Sequence, residues 1–163
     1  MNVPDVAINN ILFTTDFVED ACHVYAYAKR VAEQFNARLT LLHVVEDEPL
    51  DLLVFDVGID RAPGVQQRLA SKKDQMATAR KAVVEKVKAD FGEAAFQPEN
   101  IVVEKGNPVK TILKVAEQRE CDMIVMGFKG RSTLEDVMMG DTVRRVLHRS
   151  TVPVLIVHPT KNT

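Results

Sequence analysis

Short apolar runs recur along this chain, divided by longer stretches of helical rhythm. The runs are Asn10 to Thr15 (NILFTT), Arg38 to Val45 (RLTLLHVV), Ile101 to Glu104, Met123 to Met126, and Pro153 to Val157. They are rich in aliphatic and β-branched residues with little polar alternation, the pattern of strands buried on both faces. Strands joined by helices cannot be hairpins; each pair needs a crossover, and that crossover is right-handed. The order β-α-β-α-β-α-β-α-β therefore predicts an α/β fold, a doubly wound five-stranded parallel sheet with helices on both faces.

The helical stretches carry their own signals. From Glu19 to Asn36, the residues Ala21, Val24, Ala28, Val31, Ala32 and Phe35 fall at three- and four-residue steps and predict one buried face. Val65 to Phe91 is charged and helix-favouring, with Leu69, Met76, Ala79, Val83 and Val87 along one side. Gly106, Asn107 and Pro108 open a helix to Arg119, with proline in the first turn where its missing N–H costs little and Ile112, Leu113, Val115 and Ala116 facing the core. A fourth helix runs from Asp141 to Arg149. Glu46 to Gly64 breaks the rhythm: it is acidic, carries Pro49, Gly58 and Pro63, and still holds Leu50, Leu52, Leu53, Phe55 and Ile59. A connection of about twenty residues is long for a compact domain and marks a lid or a partner surface.

With 163 residues, 46% of them hydrophobic, residues 1–163 suit one domain with an ordinary core. A net charge of −2 gives no bulk electrostatic attraction for nucleic acid or anionic membrane. Cys22 and Cys121 lie far apart with no metal-ligand spacing around them, which suits a reducing cytoplasm. Neither a signal-type leader nor an apolar run of membrane-spanning length stands out.

In a doubly wound sheet, ligands bind beyond the carboxyl ends of the strands, where strand order reverses. That rule collects Thr14, Thr15 and Asp16, Val44 to Glu46, and the loop after Met126 on one rim. The loop has the spacing G-x2-G-x9-G, formed by Gly127, Gly130 and Gly140, and the last glycine stands where a helix begins. Glycine there leaves backbone N–H groups open to an anion at a helix N-terminus; glycine serving positive φ in a turn is the competing account. Asp16, at the end of the first strand, suits the cap of the following helix. A Walker A loop is missing, and so is the Rossmann glycine fingerprint after the first strand. No Ser-His-Asp order or paired-carboxylate motif stands out, and His43, His148 and His158 read as packed or capping residues, so no catalytic residue is assigned and any hydrolysis is expected to be slow.

The glycine spacing, the helix after it and VPVLIV, together with ILFTTDFVEDA, LTLLHVV and GNPVKTIL, resemble the nucleotide-binding branch of the universal stress protein family over nearly the whole chain. The resemblance implies a Rossmann-like sheet binding ATP or AMP. Asp16 would face adenine and ribose, and the Val44 backbone would meet the adenine edge. The implied nucleotide site comprises Thr14, Thr15, Asp16, Val44, Met126, Gly127, Lys129, Gly130, Arg131, Gly140, Asp141 and Thr142, with Lys129 and Arg131 offering charge to phosphates. It also implies a homodimer through the final strand, at Val154, Leu155, Ile156 and Val157.

One position departs from the family pattern. Nucleotide-binding members place Ser or Thr directly after the last glycine, whereas here Asp141 stands there and Thr142 follows. The carboxylate bridges to phosphates through Mg²⁺, or Thr142 supplies the hydroxyl from a helix that starts one residue later, or Asp141 takes the helix N–H groups itself and closes the site, leaving a nucleotide-free interaction module. A flavoprotein-like or ligase-like enzyme shares the architecture but lacks its phosphate loop near the first strand.

Overall fold

The computed structural model describes residues 2–46, 65–128 and 139–160, the side chains of 65–72 excepted. Its elements are β1 (Asn10–Thr14), α1 (Ala21–Phe35), β2 (Arg38–Val45), α2 (Val65–Phe91), β3 (Ile101–Lys105), α3 (Pro108–Gln118), β4 (Met123–Gly127), α4 (Asp141–Arg149) and β5 (Val154–Val157). The sheet order is β3-β2-β1-β4-β5, and every neighbouring pair is parallel. This is the doubly wound five-stranded α/β sheet that the apolar runs predict.

Strand alternation divides the core into two layers. Ile11, Phe13, Leu41 and Val125 face α1 and α2, where they meet Val24, Ala28, Val83 and Val87. Leu12, Leu42, Ile124 and Met126 face α3 and α4, packing with Ile112, Val115, Val143 and Val146. Both faces of β1 are covered, so its residues Ile11, Leu12 and Phe13 are fully buried, and that is why the run shows no polar alternation. Phe13 anchors an aromatic group, with Tyr25, Phe91 and Phe96 ring centroids at 6.0, 5.8 and 6.5 Å.

Local chemistry fixes the joints. The Asn107 side chain accepts the Lys110 N–H at 3.1 Å and caps α3, with Pro108 in its first turn, a cap worth about 1 kcal/mol. Gly106 sits at φ +146°, a conformation that favours glycine, and a Cβ there would press on Thr111 Oγ1 at 3.2 Å. Asp122 Oδ2 accepts the Asn9 and Asn10 N–H groups at 2.7 and 2.9 Å, tying the start of β1 to the start of β4.

Four expectations shift. Phe35 is 52% exposed rather than buried, because α1 stops at the left-handed Asn36 and the ring lies past the last buried turn. Asp16 does not cap α1: the helix begins at Ala21, with Asp20 at the cap position and no side-chain cap bond. β1 ends at Thr14 and β5 begins at Val154, one residue inside each expected boundary; Pro153 has no N–H and contributes only its carbonyl, accepting from Ile124 at 3.0 Å. A short 3-10 turn at Pro98–Asn100 precedes β3. Of the expected lid, residues 47–64 lie outside the described part of the chain.

Candidate functional site

β1 is flanked by β2 and β4, and the chain leaves it in one direction to build β2 and β3 before returning on the other side. The crevice between the carboxyl ends of β1 and β4 is thus the topological switch point of the sheet.

On its β1 side the ladder with β2 ends at the pair Thr14 and Leu42. The Thr15 N–H still reaches the Leu42 carbonyl at 3.0 Å, and then the chain turns away. Thr15 Oγ1 accepts the Phe17 N–H at 3.0 Å, Asp16 Oδ1 accepts the Val18 N–H at 3.3 Å, and Phe17 sits at φ 58°. A bulky residue in the left-handed region is strained and needs such support. The Thr15 carbonyl lies 2.8 Å from His43 Nδ1.

β1's departure exposes an edge of β2. Leu42 gives its carbonyl towards β1, while Val45 gives its carbonyl to the Gly106 N–H at 2.9 Å, beyond β3. Alternate residues of a strand address opposite neighbours, so Val44 turns its N–H and C=O to the side that β1 has already left. The Val44 side chain is part-buried against the α3 and α4 layer.

The opposite wall is built from β4 and α4. Gly127 pairs with Val157 at the end of β4. The Phe128 N–H continues to the Val157 carbonyl at 2.8 Å, and the Gly140 N–H returns to the Phe128 carbonyl at 3.1 Å. These bonds seat the start of α4 beside the end of β4. Gly140 is buried and adopts φ −56° and ψ 142°, a conformation open to any residue, so positive φ does not account for this glycine. It brings no side chain to the start of α4, and among the described residues no side-chain bond caps that helix.

Asp141 does not cap the helix N–H groups. Its Oδ1 pairs with Arg144 at 2.5 Å and its Oδ2 with Arg145 Nε at 2.9 Å. The hydrogen bond from Arg144 lowers its carboxyl below the usual range, opposed by desolvation and reinforced by the charges of Arg145 and Arg144. The self-filled anion site expected as an alternative is therefore not formed, and a Mg²⁺ ion at this carboxylate would share it with two guanidinium groups. Among the described residues, no group of three or more His, Cys, Asp or Glu side chains is placed to hold a metal.

The topology sets Thr14, Thr15, Asp16, Val44 and Gly127 at the carboxyl ends of β1, β2 and β4, with Gly140, Asp141 and Thr142 at the start of α4 beside them. Met126 joins them only through its backbone, since it is 4% exposed and its side chain belongs to the core. Lys129, Gly130 and Arg131 lie outside the described residues. Sequence reasoning missed the contact of His43 with the Thr15 carbonyl and the pairing of Asp141. The latter had a signal, acid followed by arginine at the third and fourth positions of a helix. A cleft of about 480 Å³ lined by Tyr25, Lys29, Asn36, Leu39 and Phe91 opens near the start of β2, at the other end of the sheet, and contains none of the rim residues.

A sequence model described as the universal stress protein family matches residues 7–158. The universal stress protein MJ0577 of Methanocaldococcus jannaschii is 29% identical over 162 residues, covering 93% of this chain and 96% of that protein. The solved structure of MJ0577 superposes with a TM-score of 0.71 at 24% identity, covering 97% of this chain and 100% of that one. UspA from Lactobacillus plantarum gives a TM-score of 0.63 at 25% identity, covering 94% and 99% of the two chains. A universal stress protein in complex with cAMP shares the fold, with a TM-score of 0.57 at 20% identity and coverage of 95% and 100%. No helix among the described residues is long and apolar enough to cross a membrane. The match spans all five strands and both walls of the crevice, and on it the chain belongs to the universal stress protein family.

Proposed function

We propose that this protein binds an adenine nucleotide, ATP or AMP, in the crevice between β1 and β4 and uses occupancy as a regulatory state read by a second copy or a protein partner. The observation that carries this reading is the peptide edge of Val44, which faces the crevice because β1 leaves the sheet at Thr14. An edge presenting one donor and one acceptor matches the donor and acceptor pair on adenine. The Asp16 carboxylate at the turn suits ribose hydroxyls, and the uncapped first turn of α4 with the Thr142 hydroxyl suits phosphate. Lys129 and Arg131 supply cationic partners from the intervening loop.

With both Asp141 oxygens on guanidinium groups, the charge at the phosphate end is screened by the protein itself, and binding proceeds without a bridging metal. The cAMP complex of a protein with this fold supports the adenine-nucleotide class. No catalytic constellation is assigned, so occupancy, not turnover, is the working signal. The final strand forms the homodimer contact, and the two cysteines, both free, suit a reducing cytoplasm.

Calorimetric titration of the purified chain with ATP, AMP and cyclic AMP, with and without Mg²⁺, tests the reading. Binding with no requirement for Mg²⁺ is expected. Absence of heat with every nucleotide, in both the native chain and Asp141→Ser, would leave a nucleotide-free interaction module instead.

A further inference from the structure

We propose that His43 is the positioning residue that keeps the Val44 N–H available in the crevice, by taking the backbone acceptor that this N–H would otherwise reach. The inference deepens the nucleotide reading and rests on it for its ligand-binding arm.

The Thr15 N–H follows the parallel pattern into the Leu42 carbonyl at 3.0 Å. The next rung of that pattern would run from the Val44 N–H to the Thr15 carbonyl. The register stops at Thr14 and Leu42 instead, and His43 Nδ1 lies 2.8 Å from the Thr15 carbonyl. A carbonyl oxygen only accepts, so Nδ1 must carry the proton. The imidazole stands in for the missing rung: Thr15 is satisfied without drawing β1 against Val44.

The ring is placed to do this. His43 follows Leu41 on the α1 and α2 side of β2, whereas Val44 packs towards α3 and α4. Phe17 packs against the imidazole at a tilt of 46° with centroids 5.2 Å apart, and Phe17 in turn meets Phe91 at 6.1 Å. Phe17 makes this contact from a left-handed turn, so the ring contact accompanies backbone strain at the same residue. Remove the ring, and the part-buried Thr15 carbonyl needs another donor, which the parallel pattern offers in the Val44 N–H. β1 would then zip one residue further and consume the donor proposed to read adenine.

The test uses the full chain, its His43→Ala and His43→Asn variants, and two readouts. Asparagine is the conservative change because its Nδ2 occupies nearly the place of Nδ1 and also donates. In ligand-free native protein, the Val44 amide is expected to exchange with solvent faster than that of Leu42, and the ¹⁵N shifts of His43 to show the Nδ1-protonated ring. In His43→Ala, Val44 exchange should slow by about tenfold as the extra rung forms, and AMP affinity should fall by about tenfold, the loss of one hydrogen bond. His43→Asn should restore both. A merely structural histidine would lower thermal stability in both variants without slowing Val44 exchange.

A native Val44 amide as protected as Leu42 would overturn the proposal, as would a His43→Ala variant unchanged in exchange and affinity. If His43→Ala does not fold, native exchange, the ring tautomer and His43→Asn still decide. If native protein binds no adenine nucleotide, the functional reading fails, while the exchange rates still decide whether His43 holds the Val44 N–H open.

Discussion

The Asp141 carboxylate lies 2.9 Å from Nε of Arg145, one helical turn along α4, and Arg144 closes on its other oxygen at 2.5 Å. In an exposed position such pairs contribute little to stability. Their consequence here is that both oxygens of the carboxylate already have cationic partners within α4.

That geometry predicts non-additive binding. Asp141→Ser alone should change ATP affinity by less than about threefold, since the charge it removes is already screened. In an Arg144→Ala, Arg145→Ala background the freed carboxylate faces the phosphates, and the same substitution should raise affinity by about tenfold. Calorimetry on the four variants reads the coupling, and equal effects in both backgrounds would mean the arginines do not control Asp141. The same cluster has a pH signature. The Asp141 carboxyl is lowered from 3.8 by its bond to Arg144, so its small stabilisation is fully present above that value and lost as pH falls through the lowered one. Denaturation midpoints of Asp141→Asn should lack this component of the acid slope.

The core makes a stability prediction. Phe13 is fully buried and touches Tyr25, Phe91 and Phe96. Phe13→Ala should cost about 3–5 kcal/mol, as transfer and cavity terms combine. Urea unfolding followed by circular dichroism measures it, and a loss below about 1 kcal/mol would show that the aromatic group collapses into the space.

Much of this architecture is visible in the residues themselves. Asn10 to Thr15 and Arg38 to Val45 are apolar on both faces because both faces are covered, and that forces crossovers and a rim. The rim then gathers Thr14, Asp16, Val44 and Gly140 by the switch-point rule. What remained hidden depends on where one strand leaves another. His43 reads as an ordinary strand histidine until β1 is seen to stop at Thr14; only then does the Thr15 carbonyl need it. Phe35 keeps the helical step of α1, yet it is the last residue before the left-handed Asn36 and stays half exposed.

The two cysteines should behave as opposites. Cys22 is exposed, and its thiol donates to the Asp90 carbonyl at 3.3 Å. Cys121 is 6% exposed. Burial first, then the Asp122 charge, pushes its thiol up to about 11 against the opposing Arg119. A thiol reagent at neutral pH should label Cys22 in the native protein and Cys121 only after unfolding. Between 9.0 and about 11 the unfolded chain ionises Cys121 while the folded chain does not, so stability from this group is full below that window and falls as pH rises through it. Cys121→Ala should lack that part of the alkaline slope.

β5 closes one side of the sheet, and its backbone divides in two. The Pro153 and Val157 carbonyls point to β4, accepting from Ile124 at 3.0 Å and Phe128 at 2.8 Å. By alternation Val154 and Ile156 direct their N–H and C=O groups outward. An apolar edge of this kind is a template for a second copy, and an isologous pairing would use the outward groups of both chains. Ile156→Pro removes an outward donor and no ladder bond to β4. Sedimentation equilibrium should find the native chain dimeric and Ile156→Pro weakened by at least about tenfold. Ile156→Val, which keeps the N–H, should dimerise like the native chain. A native chain that sediments as a monomer at micromolar concentration would remove β5 as the contact, and an equal loss in both variants would assign the contact to side-chain packing.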